Sequence, residues 1–198
     1  MARVFLSVGS NLGDRLACLR RAVDQLRAMS DLRFVDASPL YRTEPWEGAP
    51  GRPAEDTGWF FNCAVVVETE LAPAALLARL QEVEQALGRV RPPGTPEAQR
   101  YEPRPLDIDI LLYDDRVISG PEHLHIPHLL MHERRFVLRP LADLAPDVEH
   151  PVLYQTIREL LDILESRLAN DPVTELAVVN AELAKITVLR LGKLVTDE

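Results

Sequence analysis

Lysine is almost missing from this 198-residue chain: Lys185 and Lys193 are the only two, both in the C-terminal tail. The main domain therefore has no P-loop lysine and no Schiff-base lysine, and any phosphate it holds must be held by arginine and metal. Cysteine is nearly as scarce. Cys18 falls in a helical pattern and Cys63 in a strand pattern, where each reads as a small buried residue rather than half of a disulfide or metal pair. Positive charge is in deficit, with 22 Lys and Arg against 31 Asp and Glu and a net charge of −9; this excludes a general affinity for nucleic acid or anionic membrane, though not a local basic site. No run is long and apolar enough to span a bilayer, and the N-terminus passes directly into a strand pattern without a signal peptide, so a cytoplasmic protein is expected. What the chain does have is apolar material: 46% hydrophobic residues suit one domain with a substantial core, with or without an appendage.

Hydrophobic periodicity divides that material into elements. A strand over residues 4–8 turns at Gly9-Ser10-Asn11 into a helix with the apolar stripe Leu12, Leu16, Leu19, Val23 and Leu26. Asn11 is its expected cap, with Asp14 in the first turn. Residues 32–41 form a second strand, and the proline- and glycine-rich stretch 43–57 is too long for a hairpin and reads as a mobile flap. The strand over 59–68 places Phe60, Asn62, Ala64 and Val66 on one face and Phe61, Cys63, Val65 and Val67 on the other. Both faces are largely apolar, which marks a central strand and makes Asn62 the odd residue, bonded either to neighbouring backbone or to a ligand. A helix over 73–87 turns Leu76, Leu77, Leu80, Val83 and Leu87 inward, ends at Gly88, and carries Gln81 and Glu84 on one face.

Residues 89–105 hold Arg89, Arg91, Arg100 and Arg104 among five prolines, which deny the stretch a helix or inner strand. Mutual repulsion of the arginines makes this a loop expected to close on a polyphosphate. After the strand that follows come a turn at Asp114-Asp115, a short strand over 117–118, the histidines His123, His125 and His128, and helices over 132–144 and 153–168. The order β-α-β-β-α-β is that of a ferredoxin-like α+β sandwich, here with extra C-terminal helices. Residues 1–168 form the domain, and 169–198 a C-terminal extension that reads equally as a strand pair or a helix.

The chemistry concentrates in Arg100-Tyr101-Glu102-Pro103-Arg104-Pro105-Leu106-Asp107-Ile108-Asp109-Ile110-Leu111-Leu112-Tyr113. Strand alternation puts Asp107 and Asp109 on one face and Ile108, Ile110 and Leu112 on the other. Two adjacent carboxylates repel unless a cation joins them. Magnesium suits them, taking the rest of its shell from water and phosphate oxygens, with Arg100 and Arg104 as fork-shaped phosphate donors alongside. The alternative is a strand end whose acids are solvated or paired with Arg104. The histidines likewise leave a zinc site open on spacing alone.

This segment resembles the signature of the hydroxymethyl-dihydropterin pyrophosphokinases of the folate pathway. Further matching stretches follow in family order: Val8-Gly9-Ser10-Asn11-Leu12-Gly13, Tyr41-Arg42-Thr43-Glu44-Pro45-Trp46, Phe60-Phe61-Asn62-Cys63-Ala64-Val65, Gly88-Arg89-Val90-Arg91, and Ile126-Pro127-His128 with Arg134 and Phe136. The resemblance spans about residues 2–165. It implies an enzyme that transfers pyrophosphate from ATP to the hydroxyl of 6-hydroxymethyl-7,8-dihydropterin, giving the pterin diphosphate and AMP. It implies two magnesium ions on Asp107 and Asp109, with Asp107 also near the pterin, and Arg89, Arg91 and Arg104 acting on the transferring group. ATP contacts are implied at Gln81, Glu84, Arg100, Arg104, Ile110, His123, His128 and Arg134. Pterin contacts are implied at Thr43, Pro45, Trp46 and Asn62, with Phe60 and Phe136 sandwiching the ring. The expected partners are these two small molecules alone, for a monomer or a tail-mediated dimer. Glu102 and Leu129 depart from the family pattern.

Two other classes share parts of this pattern. A palm-like nucleotidyl transferase also carries paired aspartates on a ferredoxin-like sheet, but needs a basic channel that the net charge does not favour. A non-catalytic pterin-binding relative would keep Asn62 and the aromatics and lose the acids, both of which are present.

Overall fold

The computed structural model describes residues 1–43, 59–89, 103–120 and 124–170. The expected flap with Pro45 and Trp46, most of the arginine loop with Arg91, Arg100 and Glu102, His123, and the extension from residue 171 lie outside the described residues.

The strands are β1 (Ala2–Ser10), β2 (Leu32–Ala37), β3 (Tyr41–Thr43), β4 (Phe60–Thr69) and β5 (Asp107–Tyr113), with a small pair β6 (Ile118–Ser119) and β7 (His125–Ile126). The helices are α1 (Arg15–Ala28), α2 (Pro73–Ala86), α3 (Arg135–Leu144) and α4 (Ile157–Asn170), with a short 3-10 helix at Met131–Glu133. Among the described residues the strands pair antiparallel in the order β2-β4-β1-β5, β3 lying beside β4. With α1 and α2 in the crossovers this is the ferredoxin-like arrangement, and β1 and β4 are its central strands.

Alternation along the strands builds a core on each face. Val4, Leu6 and Val8 of β1 and Cys63, Val65 and Val67 of β4 pack under α1 and α2, against Leu19, Val23, Leu26, Leu76 and Leu80. On the other face Phe5, Ala64, Val66, Leu111 and Leu112 pack under Val137, Leu138 and Leu141 of α3 and Leu160, Leu161 and Leu164 of α4. Each Val, Leu and Phe among these contributes about 1.5–3 kcal/mol by leaving water. The cover of α3 and α4 reaches only part of that face, and the remainder carries Ser7, Gly9, Asn62, Asp107 and Asp109.

The structure corrects three local expectations. α1 begins at Arg15 and is capped by Asp14, whose Oδ1 accepts from the Ala17 amide at 3.0 Å. Leu12 therefore precedes the helix and is exposed, because Gly13 turns the chain at φ +68° and delays the first helical residue. The single strand over 32–41 is broken into β2 and β3 at Pro39, which has no amide for the ladder. Ser38 exchanges bonds with Ala64 there, its N–H donating to the Ala64 carbonyl at 2.9 Å and its Oγ accepting from the Ala64 amide at 2.9 Å. Finally, Leu112 does not share a face with Ile108 and Ile110. The β1–β5 register pairs Phe5 with Leu112 but Leu6 with Ile110, so Leu111 is an inserted residue, and this bulge turns Leu112 toward α3 and α4.

Candidate active site

Gly9 stands at the centre of the part of this face that α3 and α4 leave uncovered. In the ladder it lies opposite Asn62 of β4 on one side and Asp107 of β5 on the other, and Ser7 lies between Ala64 and Asp109. With strands roughly 4.8 Å apart, Asn62 and Asp107 are separated by about 10 Å, with only a glycine between them. The bare backbone is required: a Cβ on Gly9 would come within 2.5 Å of Asn62 Oδ1. Asn62 is itself buried, and its Nδ2 donates to Thr43 Oγ1 at 2.6 Å, so β3 orients the carboxamide. Ser7, Gly9, Phe60, Asn62, Arg104, Asp107, Asp109, Arg134 and Phe136 line one cleft. Phe60 comes from the sheet and Phe136 from the first turn of α3, with the Arg134 guanidinium 5.7 Å from the Phe136 ring centroid. Two rings and one fixed amide suit a flat heteroaromatic ligand.

The other end of the cleft is charged. Arg89 follows Gly88, which ends α2 at φ +96°, and its guanidinium pairs with both Glu84 and Asp107 while donating to the Leu106 carbonyl at 3.3 Å. Arg104 pairs with the second oxygen of Asp107. Glu84 is buried, and its Oε1 also accepts from the Ile108 amide at 2.7 Å, which ties α2 to β5. The backbone of Arg104 is held from both sides by Asn11: the Arg104 amide donates to Asn11 Oδ1 at 2.8 Å, and the Asn11 amide donates to the Arg104 carbonyl at 3.3 Å.

Burial pushes the Asp109 carboxyl above the ordinary carboxylate range, and the neighbouring Asp107 charge adds to this while His128, Arg104 and Arg134 oppose it. His128 is pushed down by burial, against the pull of Asp109. Its Nδ1 accepts from the Leu130 amide at 3.2 Å, and the Arg134 guanidinium lies 3.4 Å from its Nε2. A buried carboxylate beside a second one is relieved by any cation that enters. Both are hard oxygen donors on one face of one strand, which fits magnesium with phosphate oxygens and water completing the shell. Among the described residues no group of three or more His, Cys, Asp or Glu side chains is arranged to hold a metal ion.

The described members of the expected site thus fall into two groups, either lining the cleft or bonded to residues that do. Phe60, Asn62, Thr43 and Phe136 gather at one end; Asp107, Asp109, Arg89, Arg104, His128 and Arg134 gather at the other. Gln81 lies a turn before Glu84 on α2 and is half-buried. Ile110 points its side chain into the core under α1 and α2, so only its backbone can serve the cleft. Sequence reasoning missed Ser7 as a lining residue, although its placement on the face opposite Val4, Leu6 and Val8 was a usable signal. It also read Asn11 as a helix cap, whereas the side chain spans to Arg104.

Comparison with known proteins agrees with this geometry. Residues 5–146 match the model of the family described as 7,8-dihydro-6-hydroxymethylpterin-pyrophosphokinase (HPPK). A 2-amino-4-hydroxy-6-hydroxymethyldihydropteridine pyrophosphokinase of Methylorubrum extorquens is 42% identical over 165 residues, covering 83% of this chain and 95% of the relative. A protein of the same name from Pseudomonas aeruginosa is 40% identical over 149 residues, covering 75% of this chain and 84% of its own length. Among solved structures, a Plasmodium falciparum HPPK-DHPS superposes with a TM-score of 0.63 at 18% identity, covering 85% of this chain and 46% of that one; at that identity the likeness concerns the fold. No helix among the described residues is long and apolar enough to cross a membrane.

Proposed function

The chain belongs to the 7,8-dihydro-6-hydroxymethylpterin-pyrophosphokinase family, an ATP-dependent transferase of folate biosynthesis, and on that premise we propose which of its residues carry the reaction. Pterin lies between Phe60 and Phe136 with its polar edge on Asn62 and Thr43. Its hydroxymethyl group then reaches toward Asp107, and the oxygen attacks the β-phosphorus of ATP in line, so that AMP leaves and the diphosphate stays on the pterin. Two magnesium ions, held by Asp107 and Asp109, would neutralise the triphosphate charge when bound. Arg89 and Arg104 occupy both oxygens of Asp107, so they serve as its counter-charge until the nucleotide arrives and are poised to turn to phosphate oxygens. Arg91 and Arg100 join them from the arginine loop, and Gln81, Glu84, Ile110, His123, His128 and Arg134 hold the nucleotide, Glu84 chiefly by fixing Arg89 and β5 and Ile110 by its backbone.

The observation that carries this reading is the stretch of sheet face, left bare by α3 and α4, on which Asn62 and the paired aspartates flank Gly9. Neither the palm-like transferase nor the non-catalytic relative is favoured, since the named relatives are pyrophosphokinases. Residues 1–168 act as the catalytic unit, with 169–198 as an extension, and a monomer working where ATP is abundant, in the cytoplasm, suffices for the chemistry. The test is product identity: with magnesium, ATP labelled in its β-phosphate and hydroxymethyl-dihydropterin, the first nucleotide product is AMP and the label moves to the pterin. ADP as first product would overturn it.

A further inference from the structure

Tyr41 lies opposite Asn62 in the β3–β4 ladder, so the two side chains leave the sheet on the same face as neighbours. Tyr41 is 5% exposed, and its hydroxyl donates to Oδ2 of Asp143 in the last turn of α3. Burial, then the bond to Asp143, pushes the tyrosine pKa up, so the hydroxyl remains a donor. Arg139, one turn earlier, lies 3.8 Å from the other Asp143 oxygen and also faces the Tyr41 hydroxyl. Asp143 and Phe136 are seven residues apart on α3, two turns, and so lie on one side of the helix about 10 Å apart along its axis. One end of that stripe therefore forms the aromatic wall of the cleft. The other end is fixed to the strand that also supplies Thr43, the partner of Asn62.

We propose that the Tyr41–Asp143 hydrogen bond is a latch joining β3 to α3, which sets the gap between Phe136 and the Phe60–Asn62 floor and makes Tyr41 a positioning residue for the pterin. This rests on the placement of pterin in that cleft. It predicts an asymmetry between substrates, because the charged end, Arg134 at the start of α3 apart, is held by other ties: Glu84 to Ile108, Arg89 and Arg104 to Asp107, and Asn11 to Arg104, none of which involves β3.

Tyr41→Phe deletes the hydroxyl and keeps the ring. Its dissociation constant for hydroxymethyl-dihydropterin, measured calorimetrically with a saturating non-hydrolysable MgATP analogue, rises about tenfold, the scale of one hydrogen bond to a charged group. Affinity for the analogue alone stays within about twofold of wild type, since its ties lie elsewhere. Asp143→Ala has the same effect, the double variant is no worse than either single one, and Asp143→Asn, which keeps an acceptor oxygen, restores most of the affinity. Equal weakening of both ligands, or wild-type pterin binding by Tyr41→Phe, would overturn the latch. Asn62→Ala in parallel separates the two claims. If it also binds pterin as wild type does, the cleft assignment fails; if it weakens while Tyr41→Phe does not, only the latch fails.

Discussion

The two faces of one sheet are made by alternate residues of the same strands, yet they do different work. Under α1 and α2 the positions are Val4, Leu6, Val8, Cys63, Val65, Val67, Ile108 and Ile110, all buried. On the opposite face the same strands begin with Phe5, Ala64, Val66, Leu111 and Leu112 under α3 and α4, then change to Ser7, Gly9, Asn62, Asp107 and Asp109 where the cover ends. The closed face stabilises the fold by burying apolar area. The other end holds a buried amide bonded to Thr43 and a carboxylate that burial pushes above its ordinary pKa, features that cluster at functional sites. The proposed site thus sits where the packing of α3 and α4 stops short.

Substitutions can break this division of labour or define it more finely. Asp109→Ala and Asp107→Ala should each reduce pyrophosphoryl transfer roughly a thousandfold or more, the scale of losing metal-borne charge stabilisation. Melting of Asp109→Ala should be unchanged or raised, since a desolvated charge has been removed. Turnover that persists in either variant and still requires magnesium would locate the metal elsewhere. On the closed face, Leu80→Ala should cost about 2–5 kcal/mol in urea unfolding and leave pterin and ATP affinity unchanged below the melting range; a selective loss of one affinity would show that the faces are not separable. Gly9→Ala should cost less stability, about 1–3 kcal/mol of overpacking, but should displace Asn62 and abolish pterin binding in a calorimetric titration. Normal binding would mean that Asn62 is not the floor of the pterin site.

The smallest effect concerns acid. His150, in the connection from α3 to α4, is buried and accepts the amides of Val152 and Leu153 at 3.3 and 3.2 Å on Nδ1. Burial, then the charge of His132, holds its pKa below the usual histidine value. The unfolded chain therefore takes up the proton first, and this contribution to stability is present above about pH 6.5 and is lost as the pH falls from there through the folded pKa. His150→Asn keeps an acceptor without the titration, so its unfolding midpoint should drop less than that of wild type between about pH 7.5 and about pH 5. Equal drops would remove His150 from the acid response.

Much of this was readable from local pattern. The alternation of β4, the stripes of α1 and α2, the common face of Asp107 and Asp109, and Asn62 as a polar residue in an apolar strand all depend on residues a few positions apart, whose geometry the backbone periods dictate. The resemblance then supplied roles that spacing alone left open. Asn11 shows where the local signal misled: an asparagine before a helix is a good cap, but Asp14 stands closer to the first helical residue, and Asn11 is drawn instead to a backbone 93 residues away.

The sequence by itself determined that the chain forms a βαββαβ sheet with paired carboxylates beside an arginine-rich loop, because strand and helix periods and proline placement act over short range. Only the tertiary structure decided that Leu111 bulges and sends Leu112 to the α3–α4 side, that Gly9 must stay bare for Asn62, that Glu84 is buried under Arg89, and that Tyr41 reaches Asp143 across 102 residues. Each of these depends on which strand becomes whose neighbour and in what register. That choice is made by burying two faces at once, and no short stretch of the chain contains it.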